Sequence, residues 1–145
     1  MEFRILGPLE VMVAGEPVEL GGPRQRAVLA VLLLHANAAV TRDQLLDAVW
    51  GESPPRTAVN SLQVHIHGLR QALGADRIET RGSAYRLHVQ PGELDLDRFD
   101  ELVERAHLRL ADSQPQEAAA DVDAALALWR GSALCRPRSV FTITG

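Results

Sequence analysis

Asn60, Gln63, Val64 and His67 lie within Arg56 to Leu73, a stretch reading RTAVNSLQVHIHGLRQAL that contains no Asp or Glu. Amide side chains match the donor and acceptor edge of adenine, a valine can touch a thymine methyl, and imidazole or guanidinium can reach a phosphate. This set therefore has the chemistry of reading a duplex rather than of breaking a bond. Val59, Leu62, Ile66, Leu69 and Leu73 recur at spacings of 3, 4, 3 and 4, which is one narrow apolar stripe on an α-helix. At about 100° per residue the opposite side carries Asn60, Val64, His67, Gly68 and Gln71, flanked by Gln63 and Arg70. A solvated helix face ordinarily mixes charges of both signs; amides, one cation and an outward valine suit a major groove.

Other reactive residue types do not assemble. His65 and His67 are two positions apart and point about 200° apart on a helix, so they cannot share one metal ion. Cys135, the single cysteine, excludes an internal disulfide and a multi-cysteine metal site, and no base stands near it in the sequence. Gly21-Gly22 is followed by neither Gly-Lys-Ser/Thr nor GxGxxG, so it reads as a turn. Paired carboxylates and Ser-centred arrangements are lacking as well. The sequence is expected to be no enzyme and to use no cofactor and no metal.

Four segments must position the reading helix. Phe3, Ile5, Leu9, Val11, Val13 and Val18-Glu19-Leu20 alternate between breaks at Gly7-Pro8 and Ala14-Gly15-Glu16, which predicts a small antiparallel sheet. Gly21-Gly22-Pro23 presets a helix over Arg24 to Ala36, apolar enough to be buried. Thr41-Arg42-Asp43-Gln44 is a capping box opening a second helix with Leu45, Leu46, Val49 and Trp50 on its apolar side and Gly51 as its stop. Ser53-Pro54-Pro55 then delivers the chain into the reading helix, so the second and third helices form a helix-turn-helix with a loosened turn. Trp50, Val59, Leu62, Ile66 and Leu69 are expected in the core. Arg77 to Val89 alternates again through Arg81-Gly82-Ser83-Ala84, a hairpin with an arginine at its tip.

Length and charge bound the rest. A chain of 145 residues buries one full core and an appendage. Its net charge of −4 is unevenly spread. Residues 53–90 hold five Arg against Asp76 and Glu79, or +3, whereas residues 93–145 hold ten acids against six Arg, or −4. No apolar run approaches a membrane span and the start does not resemble a signal peptide, so a cytoplasmic protein is expected. Beyond Gln90-Pro91-Gly92, Phe99, Leu102, Val103, Ala106 and Leu110, then Ala118, Ala119, Val122, Ala125, Leu126 and Trp129, recur at helical spacing. They predict a helical hairpin of the kind that tetratricopeptide-like arrays repeat.

A helix-turn-helix followed by an arginine-tipped hairpin is a winged helix. RTAVNSLQVHIHGLRQALG with RIETRGSAYRL resembles the DNA-binding domain of OmpR/PhoB-type regulators. GGPRQRAVLAVLLLHAN and TRDQLLDAVWGESPP, at the N-terminal end of the chain, resemble more closely the Streptomyces antibiotic regulatory proteins, which join such a domain to a bacterial transcriptional activation domain. The likeness covers residues 1–134. It implies an α+β fold with an OmpR/PhoB-type domain over residues 1–90, a linker at 91–94, a truncated activation-domain-like module over 95–134 and an irregular tail at 135–145. It also implies activation of biosynthetic gene clusters from direct-repeat promoter sites, double-stranded DNA and RNA polymerase as partners, and dimeric or tandem binding. Arg56, Asn60, Gln63, Val64, His67, Arg70, Arg81 and Arg86 are the candidate DNA contacts, with Arg70 expected on a phosphate and Arg81 in the flanking minor groove. Two positions depart from the pattern. Ala84 stands where family wings carry Gly, and a positive φ there would cost an alanine about 1 kcal/mol. Gly68 stands where relatives place a basic, groove-facing residue. A protein-interaction adaptor, with the acidic helical pair docking a basic partner, is the alternative reading.

Overall fold

The computed structural model describes residues 1–130, so the tail expected at 135–145, Cys135 and the last residues of the module expected at 95–134 lie outside the described residues. The chain divides into two compact units, Met1–Glu16 with the segment from Gln90 on, and Pro17–Val89.

In the first unit, β1 (Glu2–Arg4) pairs antiparallel with β2 (Glu10–Val13), with Phe3 opposite Val11. A two-residue strand, β3 (Glu16–Pro17), which begins at the last residue of the Met1–Glu16 stretch, completes the order β1-β2-β3. The later part of the unit is a hairpin of two helices, α4 (Asp95–Ala111) and α5 (Pro115–Ala127). Leu6, Phe99, Val103 and Ala125 share a core, and the rings of Phe99 and Trp129 meet edge to face at 5.8 Å.

Residues 1–16 were expected with the DNA-binding domain, and their packing differs from that expectation. The Phe3 N–H donates to the Glu93 carbonyl at 2.6 Å, and Leu94 forms a parallel bridge with Phe3. The buried Asp95 carboxylate accepts the Ile5 and Leu6 N–H groups at 2.9 and 3.0 Å. Residues 93–94 of the expected linker are thus held in the unit. The alternation of β1 and β2 showed one buried face but not what would cover it.

The second unit holds α1 (Pro23–Leu34), β4 (Ala39–Thr41), α2 (Arg42–Trp50), α3 (Ala58–Leu73), β5 (Ile78–Arg81) and β6 (Ala84–Leu87). Pro23 occupies the first turn of α1 after Gly22. Thr41 and Gln44 make the reciprocal capping box of α2, and Gly51 ends that helix with φ 88°. Gly74 ends α3, its N–H returning to the Arg70 carbonyl. Leu62, Ile66 and Leu69 are buried with Val28, Leu29, Leu32, Leu33 and Leu45, so the three helices close on one core. Trp50 and Val59, expected in that core, are only half-buried. Trp50 lies at its margin, where its ring meets that of His65 at a tilt, centroids 6.2 Å apart, and the Arg24 guanidinium covers it at 5.4 Å.

The hairpin is part of a larger sheet than the sequence suggested. β4 pairs with β6, giving the antiparallel order β4-β6-β5. Three residues between α1 and α2 are too few for alternation to reveal a strand. Their pairing fixes the wing to the start of α2, because the Arg42 N–H donates to the Ser83 carbonyl at 2.8 Å.

Candidate nucleic-acid interface

The buried positions of α3 are Ala58, Leu62, Ile66, Leu69 and Leu73, and this face fixes which residues point away from the unit. Asn60, Gln63, His67 and Gln71 are exposed. Val64 is 65% exposed, the most exposed large hydrophobic residue among those described. Four of the predicted site residues, Asn60, Gln63, Val64 and His67, are therefore brought together on one solvent-facing strip. Arg56 is exposed just ahead of α3 and, among the described residues, has no ion-pair partner.

Gly68 is not on that strip. A Cβ built there would lie 2.6 Å from Gln25 Oε1 of α1, so the position belongs to the seam between α1 and α3. A basic residue at this backbone position would be directed at α1, which corrects the idea that a groove contact is lost here. Gln25 fills the notch and is anchored at both ends of its amide. Its Nε2 donates to the Leu20 carbonyl at 3.0 Å, and its Oε1 accepts from His65 Nδ1 at 3.3 Å. Burial, and then the charge of Arg24, hold His65 below the ordinary imidazole range.

The wing turn is Gly82-Ser83, with Arg81 opposite Ala84. Its positive φ, 58°, falls on Gly82, while Ala84 is absent from the positive-φ residues among those described, Ala14, Asn37 and Ser113. Ala84 therefore sits unstrained in β6, correcting the expected cost, because the tight turn puts its glycine requirement at the first central residue.

Register divides the wing sheet into two faces. Val40, Ile78 and Leu87 are buried on the inner face, which also carries Thr80 and the half-buried Tyr85. Glu79, Arg81 and Arg86 share the outer face, with Glu79 opposite Arg86. Arg81, exposed at the tip, donates through Nε to Glu79 at 3.2 Å, and His88 Nε2 reaches the other Glu79 oxygen at 3.2 Å. The Arg81 hydrogen bond, with help from His88, holds the Glu79 carboxyl below the usual range. Arg86 is half-buried, and its Nε has no acceptor among the described residues.

Arg70 faces inward instead. Its Nε and Nη2 donate to the Ile78 carbonyl at 3.1 and 2.9 Å, and Nη2 also donates to Thr80 Oγ1 at 2.6 Å. Among the described residues its guanidinium pairs with neither Asp76 nor Glu79, and those donors are occupied within the unit. Sequence reasoning also missed Arg42, exposed at the start of α2 beside the wing turn. Only the unseen pairing of β4 with β6 brings it there.

Three helices on one core, the third presenting a polar outer strip, and a three-stranded wing beside it define a winged helix-turn-helix protein. The family "Transcriptional regulatory protein, C terminal" matches residues 15–87, and "Bacterial transcriptional activator domain" matches residues 94–141. The second match runs past Cys135 into the segment that had shown no family likeness. The chain is 38% identical to the transcriptional regulatory protein MoaR1 of Mycobacterium tuberculosis, over 96% of this chain and 47% of that protein. It is 33% identical to the regulatory protein DnrI of Streptomyces peucetius, over 92% of this chain and 53% of that protein. A structure of Mycobacterium tuberculosis EmbR in complex with a low affinity phosphopeptide superposes with a TM-score of 0.88 at 34% identity, over 92% of this chain and 37% of that one. The chain thus spans about half the length of the two curated relatives.

The chain belongs to the Streptomyces antibiotic regulatory protein family, with an OmpR/PhoB-type winged helix followed by an activator-type helical segment. This is a family of transcriptional regulators rather than of enzymes. No helix among the described residues is long and apolar enough to cross a membrane.

Proposed function

We propose that this chain binds double-stranded DNA sequence-specifically through α3 and the wing, and that it acts in the cytoplasm as an activator of a biosynthetic gene cluster. The observation that carries this reading is the outer strip of α3, where Asn60, Gln63, Val64 and His67 are exposed on a helix without a single acid. In helix-turn-helix docking the N-terminal part of such a helix meets base edges. Asn60 and Gln63 then read adenine, Val64 meets a thymine methyl and His67 reaches a base or phosphate. Arg56 and Arg86 neutralise phosphates, Arg81 enters the flanking minor groove, and Arg42 adds a cation beside the wing turn.

The family supports direct-repeat promoter sites, binding as a dimer or in tandem, and contact with RNA polymerase through the helical segment. Genomic footprinting of the purified protein tests the reading. Protected sites upstream of biosynthetic genes, spaced as direct repeats, are the expected result; no protection anywhere at low salt overturns it. In that event the adaptor reading moves ahead, resting on the exposed acids Asp97, Glu101 and Glu104 of α4.

A further inference from the structure

We infer that Arg70 is a positioning residue that clamps the wing to the reading helix, and that it is not one of the phosphate contacts. The inference rests on the DNA-binding reading for its functional consequence, while the clamp itself is a property of the free protein.

In the order β4-β6-β5, β5 is an outer strand. Arg81 pairs with Ala84 across a two-residue turn, and the His88 N–H donates to the Arg77 carbonyl at 2.7 Å. Hydrogen-bonded and non-hydrogen-bonded pairs alternate in an antiparallel ladder. Arg77, Glu79 and Arg81 therefore turn their backbone groups toward β6, while Ile78 and Thr80 turn theirs outward. An outward carbonyl on an edge strand needs a partner.

Arg70 supplies it. Two of its nitrogens converge on the Ile78 carbonyl at 3.1 and 2.9 Å, and Nη2 continues to Thr80 Oγ1 at 2.6 Å. The guanidinium thus stands where the next strand of the sheet would run, spanning two residues of β5 from the C-terminal half of α3. A planar fork can hold two acceptors in fixed directions, which a lysine ammonium on a flexible stem does not reproduce. Because Ile78 is buried beneath the sheet, the fork ties the reading helix to the strand that leads to Arg81. The tip then keeps a set distance from Asn60 and Gln63, so base contact and minor-groove contact are made together.

The test uses the whole chain and three variants at the clamp, Arg70→Lys, Arg70→Gln and Thr80→Val, with Arg81→Ala as the control. Thr80→Val removes only the hydroxyl, at an exposed strand position that valine suits, so it serves even where the Arg70 variants fold poorly. Backbone amide NMR relaxation of residues 78–87 in the free protein is the first readout. Increased motion in every folded variant, with none in Arg81→Ala, is expected; a wing as rigid as wild type in all of them overturns the clamp.

The second readout is binding to a duplex selected by the wild-type chain from a random pool, against a random duplex, across a salt series. Arg70→Lys is expected to lose roughly tenfold on the selected duplex, with a log-log salt slope unchanged to within about half a unit. Wild-type affinity in Arg70→Lys, together with a slope reduced by about one in Arg70→Gln, makes Arg70 a phosphate contact and overturns the inference. Failure of the wild-type chain to bind any duplex overturns the DNA reading alone, since the relaxation readout still decides the clamp.

Discussion

The amide of Gln25 occupies the space that a side chain at Gly68 would take, 2.6 Å from the position of its Cβ. The glycine therefore lets α1 and α3 approach, with Gln25 bonded to both the Leu20 carbonyl and His65. Gly68→Ala gains about 1 kcal/mol of helix propensity but must push the amide off its partners, at a cost of about 1–3 kcal/mol. The expected outcome in urea unfolding is a protein no more stable than wild type. Gly68→Arg should be clearly less stable and bind duplex DNA no better. A stable Gly68→Arg protein with raised affinity would place the position at the groove after all.

Stability should depend on pH through His65. Its folded-state pKa lies below the value of about 6.5 that an unperturbed imidazole has, because of burial and then the charge of Arg24. Between the two values the unfolded chain binds the proton and the folded chain does not, so stability present above about pH 6.5 is lost as pH falls through the folded value. Urea midpoints measured at about pH 7.5 and about pH 5.5 should fall on acidification, and fall less in His65→Gln. Equal falls in both proteins would remove His65 from the account.

Asp95 should matter to the N-terminal strands. Its buried carboxylate accepts from the Ile5 and Leu6 N–H groups, and bonds to a charged acceptor contribute about 1.5–3 kcal/mol. Asp95→Asn keeps the shape but offers one acceptor oxygen for two donors. Hydrogen exchange should show the Ile5 and Leu6 amides losing protection while those of α1 keep theirs. Unchanged protection at both amides would contradict the assignment.

Deleting residues 93–145 while retaining residues 1–16 should leave Phe3, Ile5 and Leu6 without cover, since Leu6 shares its core with Phe99, Val103 and Ala125. Size-exclusion chromatography should show aggregation of that protein and a monomeric fragment when residues 1–14 are removed as well. Two equally soluble fragments would argue against the shared core.

Local chemistry made much of this fold legible. The stripe of α3, the Thr41 capping box, the stops at Gly51 and Gly74, and the hairpin around Gly82 each follow from residues a few positions apart. What sequence left hidden depends on distant partners. β4 is three residues long and is defined by pairing with β6, more than forty positions away. Helical spacing alone placed Gly68 near the reading face, but the angular margin between that face and the α1 seam is small, and Gln25 decides it. Arg70 likewise has the type and place of a phosphate contact, and only the Ile78 carbonyl and Thr80 hydroxyl reveal where its donors go.

The central claim, that α3 reads bases while the wing tip grips the backbone and flanking groove, is tested most directly by binding of Asn60→Ala and Arg81→Ala to one selected and one random duplex across a salt series. Asn60→Ala should cost about 1–3 kcal/mol on the selected duplex and little on the random one, with its slope unchanged. Arg81→Ala should weaken both and reduce the log-log slope by about one. Equal losses on both duplexes for Asn60→Ala, with no effect of Arg81→Ala on either, would contradict the account.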